Sequence, residues 1–388
     1  MTRLGDVCEK IGSGATPRGG KEAYKDAGIP IIRSQNIHDW VFQPDGLAFL
    51  DDEQAESLSN VEVRSNDVLL NITGDSVARA CIVPSERIPA RVNQHVAIVR
   101  AGKEINPTYL LASLQSKKTT LLSLASSGAT RNALTKRMIE NLDIDLPSRE
   151  IQDSIAQVLD SIQYKITLNN RLNDYLEQLV DGKFQELFGG LNFNATLSDV
   201  AEITMGQSPA GSSYNEEGAG IIFYQGRGEF GWRFPKRRLY TTEPKRLACE
   251  GDVLMSVRAP VGDLNVAFEN CCIGRGLAAI HSETPSFALY LMRFLKPQLE
   301  AYNGEGTVFG SINGKALKSL EVALPSHNEV MQFESFAAPI DALIRSNENE
   351  TRKLNNLRNY LLPKLMSGEI DVSKVDLTQL TNNHLADC

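Results

Sequence analysis

A chain of 388 residues, 42% hydrophobic and 23% charged, is longer than one ordinary core requires and has the composition of two or three folded domains. It holds no run of eighteen apolar residues to span a bilayer, and its start, MTRLGDVCEK, lacks the basic-then-apolar pattern of a secretion signal, so a cytoplasmic location without a membrane partner is expected. A net charge of −8 argues against a simple cationic coat for nucleic acid.

Residues 1–147 read as a mixed domain, with short β-rich runs at Ile29 to Ile32, Val68 to Ile72 and Val96 to Val99 separated by Gly, Pro, Asn and Asp turns. Its stretch from Lys117 to Arg137 carries Lys117, Lys118, Arg131, Lys136 and Arg137 and no acid. A long uninterrupted helix follows over 148–189. Residues 190–325 form a second mixed domain, with runs at Ile221 to Tyr224 and Val253 to Val257. Here Arg227 to Arg246 holds Arg227, Arg233, Lys236, Arg237, Arg238, Lys245 and Arg246 against Glu229 and Glu243. A second long helix covers 326–370, and 371–388 reads as a loose tail. Two basic stretches in an otherwise acidic chain fit two DNA-facing surfaces, although a solvated charged face fits either one alone.

The six cysteines (8, 81, 249, 271, 272 and 388) and five histidines (38, 95, 281, 327 and 384) show no CxxC pair and no CxxC…HxxxH spacing. Reduced thiols and no metal site are the expectation.

The chain repeats itself. Leu4-Gly5-Asp6-Val7 recurs as Leu197-Ser198-Asp199-Val200, Asn66-Asp67-Val68-Leu69 as Gly251-Asp252-Val253-Leu254, and Leu146-Pro147-Ser148 as Leu324-Pro325-Ser326. The offset shrinks from 193 to 185 to 178 along the copy, so the halves share a scaffold and differ by loop deletions. In the first long helix apolar residues fall at Ile151, Ile155, Val158, Ile162, Ile166, Leu172, Leu176 and Leu179. In the second they fall at Val330, Phe333, Ala337, Ile340, Ile344, Leu354, Leu357, Leu361 and Leu365. Steps mostly of three and four describe a coiled-coil seam. Asn169 and Asn347 interrupt it at equivalent places, as a buried pair that fixes register would. Forty helical residues make a rod roughly 60 Å long. Antiparallel packing would set the two globular parts at opposite ends of it, and for a DNA reader such symmetry implies half-sites about one helical turn apart. The outer faces, with Arg171, Asp174, Glu177, Arg352, Lys353 and Arg358, alternate in sign, and Tyr360, Leu365 and Met366 read as core or as part of a partner dock.

The segment Ile32-Arg33-Ser34-Gln35-Asn36-Ile37, the runs NDVLLNITGDSVARACIVP (66–84) and RVNQHVAIVR (91–100), and LPSREIQ opening the first long helix resemble type I restriction-modification specificity subunits. So do GDVLMSVRAPVGDLNVAFENCCIGRGLAAI (251–280) and LRNYLLPKLMSGEI (357–370). The resemblance covers residues 1 to about 370. It implies an α+β fold: two globular target recognition domains joined by two long helices in an antiparallel coiled coil, with an internal pseudo-twofold repeat. It also implies double-stranded DNA as partner, read as a bipartite asymmetric target. Two modification (methyltransferase) subunits would bind S-adenosylmethionine and dock on the helices, while restriction subunits would bring ATP and magnesium. The chain itself would hold no cofactor and catalyse nothing.

Reading bases needs paired donors or a donor and an acceptor, which points to Arg for guanine and to Asn or Gln for adenine. The first domain offers Arg33, Gln35, Asn36, Arg79, Asn93, Gln94 and Arg131, with Lys136 and Arg137 as phosphate contacts. The second offers Gln225 and Arg227 at the place of Arg33 and Gln35, Arg258 and Arg275 at the places of Thr73 and Gln94, and Lys236, Arg237 and Arg238 as phosphate contacts. Two motifs imitate other chemistry. Asn106-Pro107-Thr108-Tyr109 resembles the Asn-Pro-Pro-Tyr loop of adenine methyltransferases but also reads as an N-cap followed by proline. Gly310 to Lys315 imitates a phosphate loop one residue short, with Ala316 where Ser or Thr belongs. The competing functions are therefore a stand-alone DNA-binding regulator and a methyltransferase.

Overall fold

The computed structural model describes residues 1–126, 132–304 and 310–372. It divides into two compact units, Met1–Leu168 with the chain from Glu350 onward, and Asn169–Asn349. Among the described residues no helix is long and apolar enough to cross a membrane.

The duplication read from the sequence is repeated strand by strand. The first unit has an antiparallel sheet in the order Cys8–Ser13, Val96–Ala101, Val68–Asn71, Ala80–Ile82, and the second has Glu202–Met205, Leu277–His281, Val253–Ser256, Leu264–Val266 in the same order. Beside it lies a second sheet with one parallel pair. That pair is Ile29–Ile32 with Ala90–Val92 in the first unit and Ile221–Tyr224 with Cys271–Ile273 in the second.

Every position of Val68–Asn71 and of Val253–Ser256 is buried, because these strands are covered on both faces. Alternate side chains enter different cores: Val68 and Leu70 one, Leu69 the other, as Val253 and Met255 are divided from Leu254. This double coverage is why the runs read as continuous apolar stretches rather than as alternating ones.

The long helices span Arg149–Phe188 and His327–Met366. The compact units cut across them, unlike the domain boundaries read from the sequence, because each half of each helix is buried with its own unit. Within each unit the two halves run antiparallel. In the first, Arg358 donates to Gln163 at 2.5 Å and Lys165 lies 3.2 Å from Glu350. In the second, Asn347 donates to Asn173 at 2.8 Å, while Phe184 and Phe333 have ring centroids 5.3 Å apart.

The seam differs from the one drawn through the leucines. After Ile166 it continues through Asn169, Asn173, Val180, Phe184 and Phe188, all buried, whereas Leu172 is 39% and Leu179 53% exposed. Ile151 and Leu357 are also exposed. The step from Ile166 to Leu172 already broke the three-four rhythm, and the true path keeps it by burying amides that bond to each other across the pair. Asn169 and Asn347 are both buried as expected, and Asn173 is the further partner that satisfies Asn347.

Two residues assigned to the outer faces are not there. Arg358 is 6% exposed, its guanidinium 5.1 Å from the Trp40 ring centroid, and burial lowers its pKa to about 10. Glu177 faces inward to Arg293 and Arg233, and burial raises its pKa despite both cations.

Candidate nucleic-acid interface

In the first unit, loops at one end of the central sheet are sewn together by backbone bonds. Ile72 donates to His95 at 3.0 Å and Leu134 to Ile72 at 2.8 Å, Thr73 bridges Ala133, and the Asn71 amide reaches the Ser34 carbonyl at 2.9 Å. Segments 33–36, 72–79, 93–95 and 132–134 therefore share one surface. Gly74, at φ +75°, allows the tight turn that ends the 72–74 arm.

The second unit reproduces the stitching position by position. Arg258 bridges Ser311 as Thr73 bridges Ala133, Ile312 donates to Val257 at 3.1 Å, and Gly274 donates to Tyr224 at 2.8 Å where Asn93 donates to Ile32 at 3.0 Å. This register places Gln225 at the Arg33 position and Arg275 at the Gln94 position.

The candidate residues separate by what their side chains already hold. Asn36 is fully buried, gives its amide to the carbonyls of Gln43 (2.9 Å) and Asp45 (3.2 Å), and accepts from the Arg33 amide at 3.0 Å. It is a loop clamp rather than a base reader, because no donor or acceptor is left to turn outward. Asn93 is 6% exposed, with its oxygen on the His95 amide at 3.1 Å, so its side-chain nitrogen is the group it can offer a base. Arg33 is half-buried, bonded to the Gly46 carbonyl at 2.5 Å and stacked 5.5 Å from the Tyr24 ring centroid. Gln35 is exposed and shares Gly46 at 3.2 Å. Asn36→Ala is expected to lower stability by about 2 kcal/mol in chemical denaturation, since a fully buried amide that holds two loop carbonyls is lost, whereas Gln35→Ala costs less than about 0.5. Equal losses would remove the distinction.

Arg79, Arg137, Gln225, Lys236, Arg258 and Arg275 have no side-chain partner among the described residues, and all but the half-buried Arg79 are exposed. Gln94 is exposed and lies 3.2 Å from the ring of His95, which in turn holds Thr73 at 2.7 Å. His95 and Thr73 are polar tip residues that composition gave no reason to single out. Lys136 forms an exposed pair with Glu140 at 3.4 Å. Arg131 lies outside the described residues.

The second basic stretch is largely neutralised internally. Arg227 pairs with Asp263 at 3.0 Å, Arg237 with Glu269 at 2.5 Å, and Arg238 with Glu229 at 2.8 Å. The Glu229 hydrogen bond raises the Arg238 pKa further. Arg233 is 4% exposed, 3.4 Å from both Glu177 and Asp341, and donates to the Tyr290 hydroxyl at 3.0 Å. It fastens the loop to the long helices. The acids that do this are distant in sequence, so the run of cations was visible and its counter-charges were not.

The two lookalike motifs are helix caps. The Asn106 side chain accepts from Thr108 at 2.8 Å and Tyr109 at 3.2 Å, and Tyr109, fully buried, donates its hydroxyl to the Asp145 carbonyl, so it offers no aromatic platform. Asn313 caps the helix Gly314–Lys318 through Lys315 and Ala316, both at 3.0 Å.

A family model described as "Type I restriction modification DNA specificity domain" matches residues 1–178 and 194–359. The "Putative type I restriction enzyme MjaX specificity subunit" of Methanocaldococcus jannaschii is 29% identical, over 96% of this chain and 93% of the relative. The MjaIX specificity subunit of the same organism is 21% identical over 97% and 94%. The crystal structure of a type I restriction-modification S subunit from M. genitalium matches 94% of this chain and 95% of its own with a TM-score of 0.60 at 14% identity, which speaks to the fold.

Proposed function

Because the chain belongs to the type I restriction modification DNA specificity domain family, we propose that each unit reads one half of a bipartite target and that catalysis is left to partner subunits. One observation carries this reading: homologous tips of the two units present long polar side chains that have no side-chain partner among the described residues. These are Arg79 in one unit and Gln225, Arg258 and Arg275 in the other. Free Arg and Gln ends are the chemistry of base-edge readout, whereas the internally paired Arg227, Arg237 and Arg238 suit backbone contacts reached by exchanging one anion for another.

Non-catalysis is supported by the use of Asn106 and Tyr109 as cap and core. The modification subunits, expected to carry S-adenosylmethionine, are assigned to the outward face of the first long helix. There Leu172, Tyr175 and Leu179, within the second unit, recur at steps of three and four and are 39–68% exposed. Restriction subunits with ATP and magnesium belong to the same reading.

The test of bipartite reading uses the assembled methyltransferase and mapping of methylated sequences. Arg258→Ala or Arg275→Ala is expected to relax one half of the target by about 10- to 100-fold at single base pairs, and Arg79→Ala the other half only. Unchanged profiles, or relaxation in both halves by one substitution, would overturn it.

A further inference from the structure

We propose that Cys249, Asp252 and His281 form a binding site for a divalent cation of the zinc type in the second unit. The thiol, a carboxylate oxygen and an imidazole nitrogen lie within 4.8 Å of one another. Asp252 and His281 already face each other at 2.7 Å between Oδ1 and Nδ1, and the other Asp252 oxygen accepts from the Cys249 amide at 2.8 Å.

The internal repeat explains why a cation belongs here. In the first unit the equivalent of Asp252 is Asp67, wholly buried, which takes two bonds of 2.8 Å from Arg100 and one of 2.7 Å from the Arg64 amide. The exposed Arg64 guanidinium turns instead to Glu9 at 3.6 Å, so it is Arg100 that neutralises the buried carboxylate. The second unit keeps the carboxylate, 6% exposed, but puts His281 where Arg100 stands and Cys249 where Arg64 stands. The permanent positive charge on the carboxylate is gone. Both replacements are side chains that ligate zinc, and Glu202 lies opposite His281 across the strand pair as a further anion.

Zinc between the imidazole and the carboxylate would hold those atoms roughly 3.4 Å apart. The required opening is small, and the His281 side chain, 52% exposed, is free to make it. Cys249 is exposed and loses its thiol proton to solvent on binding. Three protein ligands leave a fourth position for water or Glu202. His281 ends the strand whose other end, Leu277, follows Arg275, about 13 Å away along the strand. The cation therefore ties the strand to the Cys249 loop without touching the recognition tip.

The experiment uses the full chain, reduced and stripped of metal, with cobalt(II) as a spectroscopic probe and zinc as competitor. One equivalent of cobalt is expected to give a thiolate-to-metal charge-transfer band that zinc abolishes, and zinc is expected to raise the Tm by several degrees. Cys249→Ser should remove the band. His281→Arg, which restores the ion pair of the first unit, should keep the metal-free Tm and weaken zinc binding by more than about 100-fold. No band and no Tm shift, or the same band in Cys249→Ser and His281→Arg, would overturn the proposal.

Discussion

A Leu172→Glu, Leu179→Glu double variant is expected to fold as the parent does and to lose its modification subunits. Leu172 and Leu179 are 39% and 53% exposed on the first long helix, and Glu is as good a helix former as Leu, so neither packing nor propensity penalises the change. In a complex the same positions would be dry. About half of each leucine is still exposed, so burial in a complex would add roughly 0.7 to 1.5 kcal/mol apiece, and affinity should fall by about 10- to 100-fold before the cost of desolvating the new carboxylates. Co-purification, with a thermal melt of the free chain as control, checks the result. A parent-like complex would move the partner surface elsewhere.

The second large effect is on stability. Arg233→Ala is expected to destabilise the second unit by about 3 to 5 kcal/mol in guanidinium denaturation, because it removes the cation from a site that still holds two carboxylates. Glu177 retains Arg293 at 2.9 Å, but among the described residues Asp341 keeps only the Tyr290 hydroxyl at 3.0 Å. Arg233→Lys should be milder, since it preserves the charge and loses the fork. A loss under about 1 kcal/mol for Arg233→Ala would show that water already screens the acids.

The scaffold was legible in the sequence because it is a repeated backbone solution. Leu4-Gly5-Asp6-Val7 and its copy mark the same turn of chain, and the offset held well enough to align even the isolated bridges at Thr73 and Arg258. The seam was only half legible. Hydrophobic counting follows Leu172 and Leu179, and it cannot foresee that Asn173 and Asn347 bond to each other when buried. Asn36 was misjudged for a related reason: an amide suits adenine and a loop carbonyl equally well, and only its neighbours decide. Arg233 stood among exposed cations in the sequence, while its acids were contributed by residues 177 and 341. Cys249, Asp252 and His281 follow no ligand spacing because a strand pairing, not a turn, brings the last of them in.

The strands Val68–Asn71 and Val253–Ser256 each serve as a party wall, with one face in each of two hydrophobic rooms. Neither room can melt while the other stands, so each unit should lose its structure in a single transition rather than by peeling. The loops that leave the ends of these walls are thereby mounted on strands packed on both faces. New side chains can be tried there by mutation while the masonry behind them stays put.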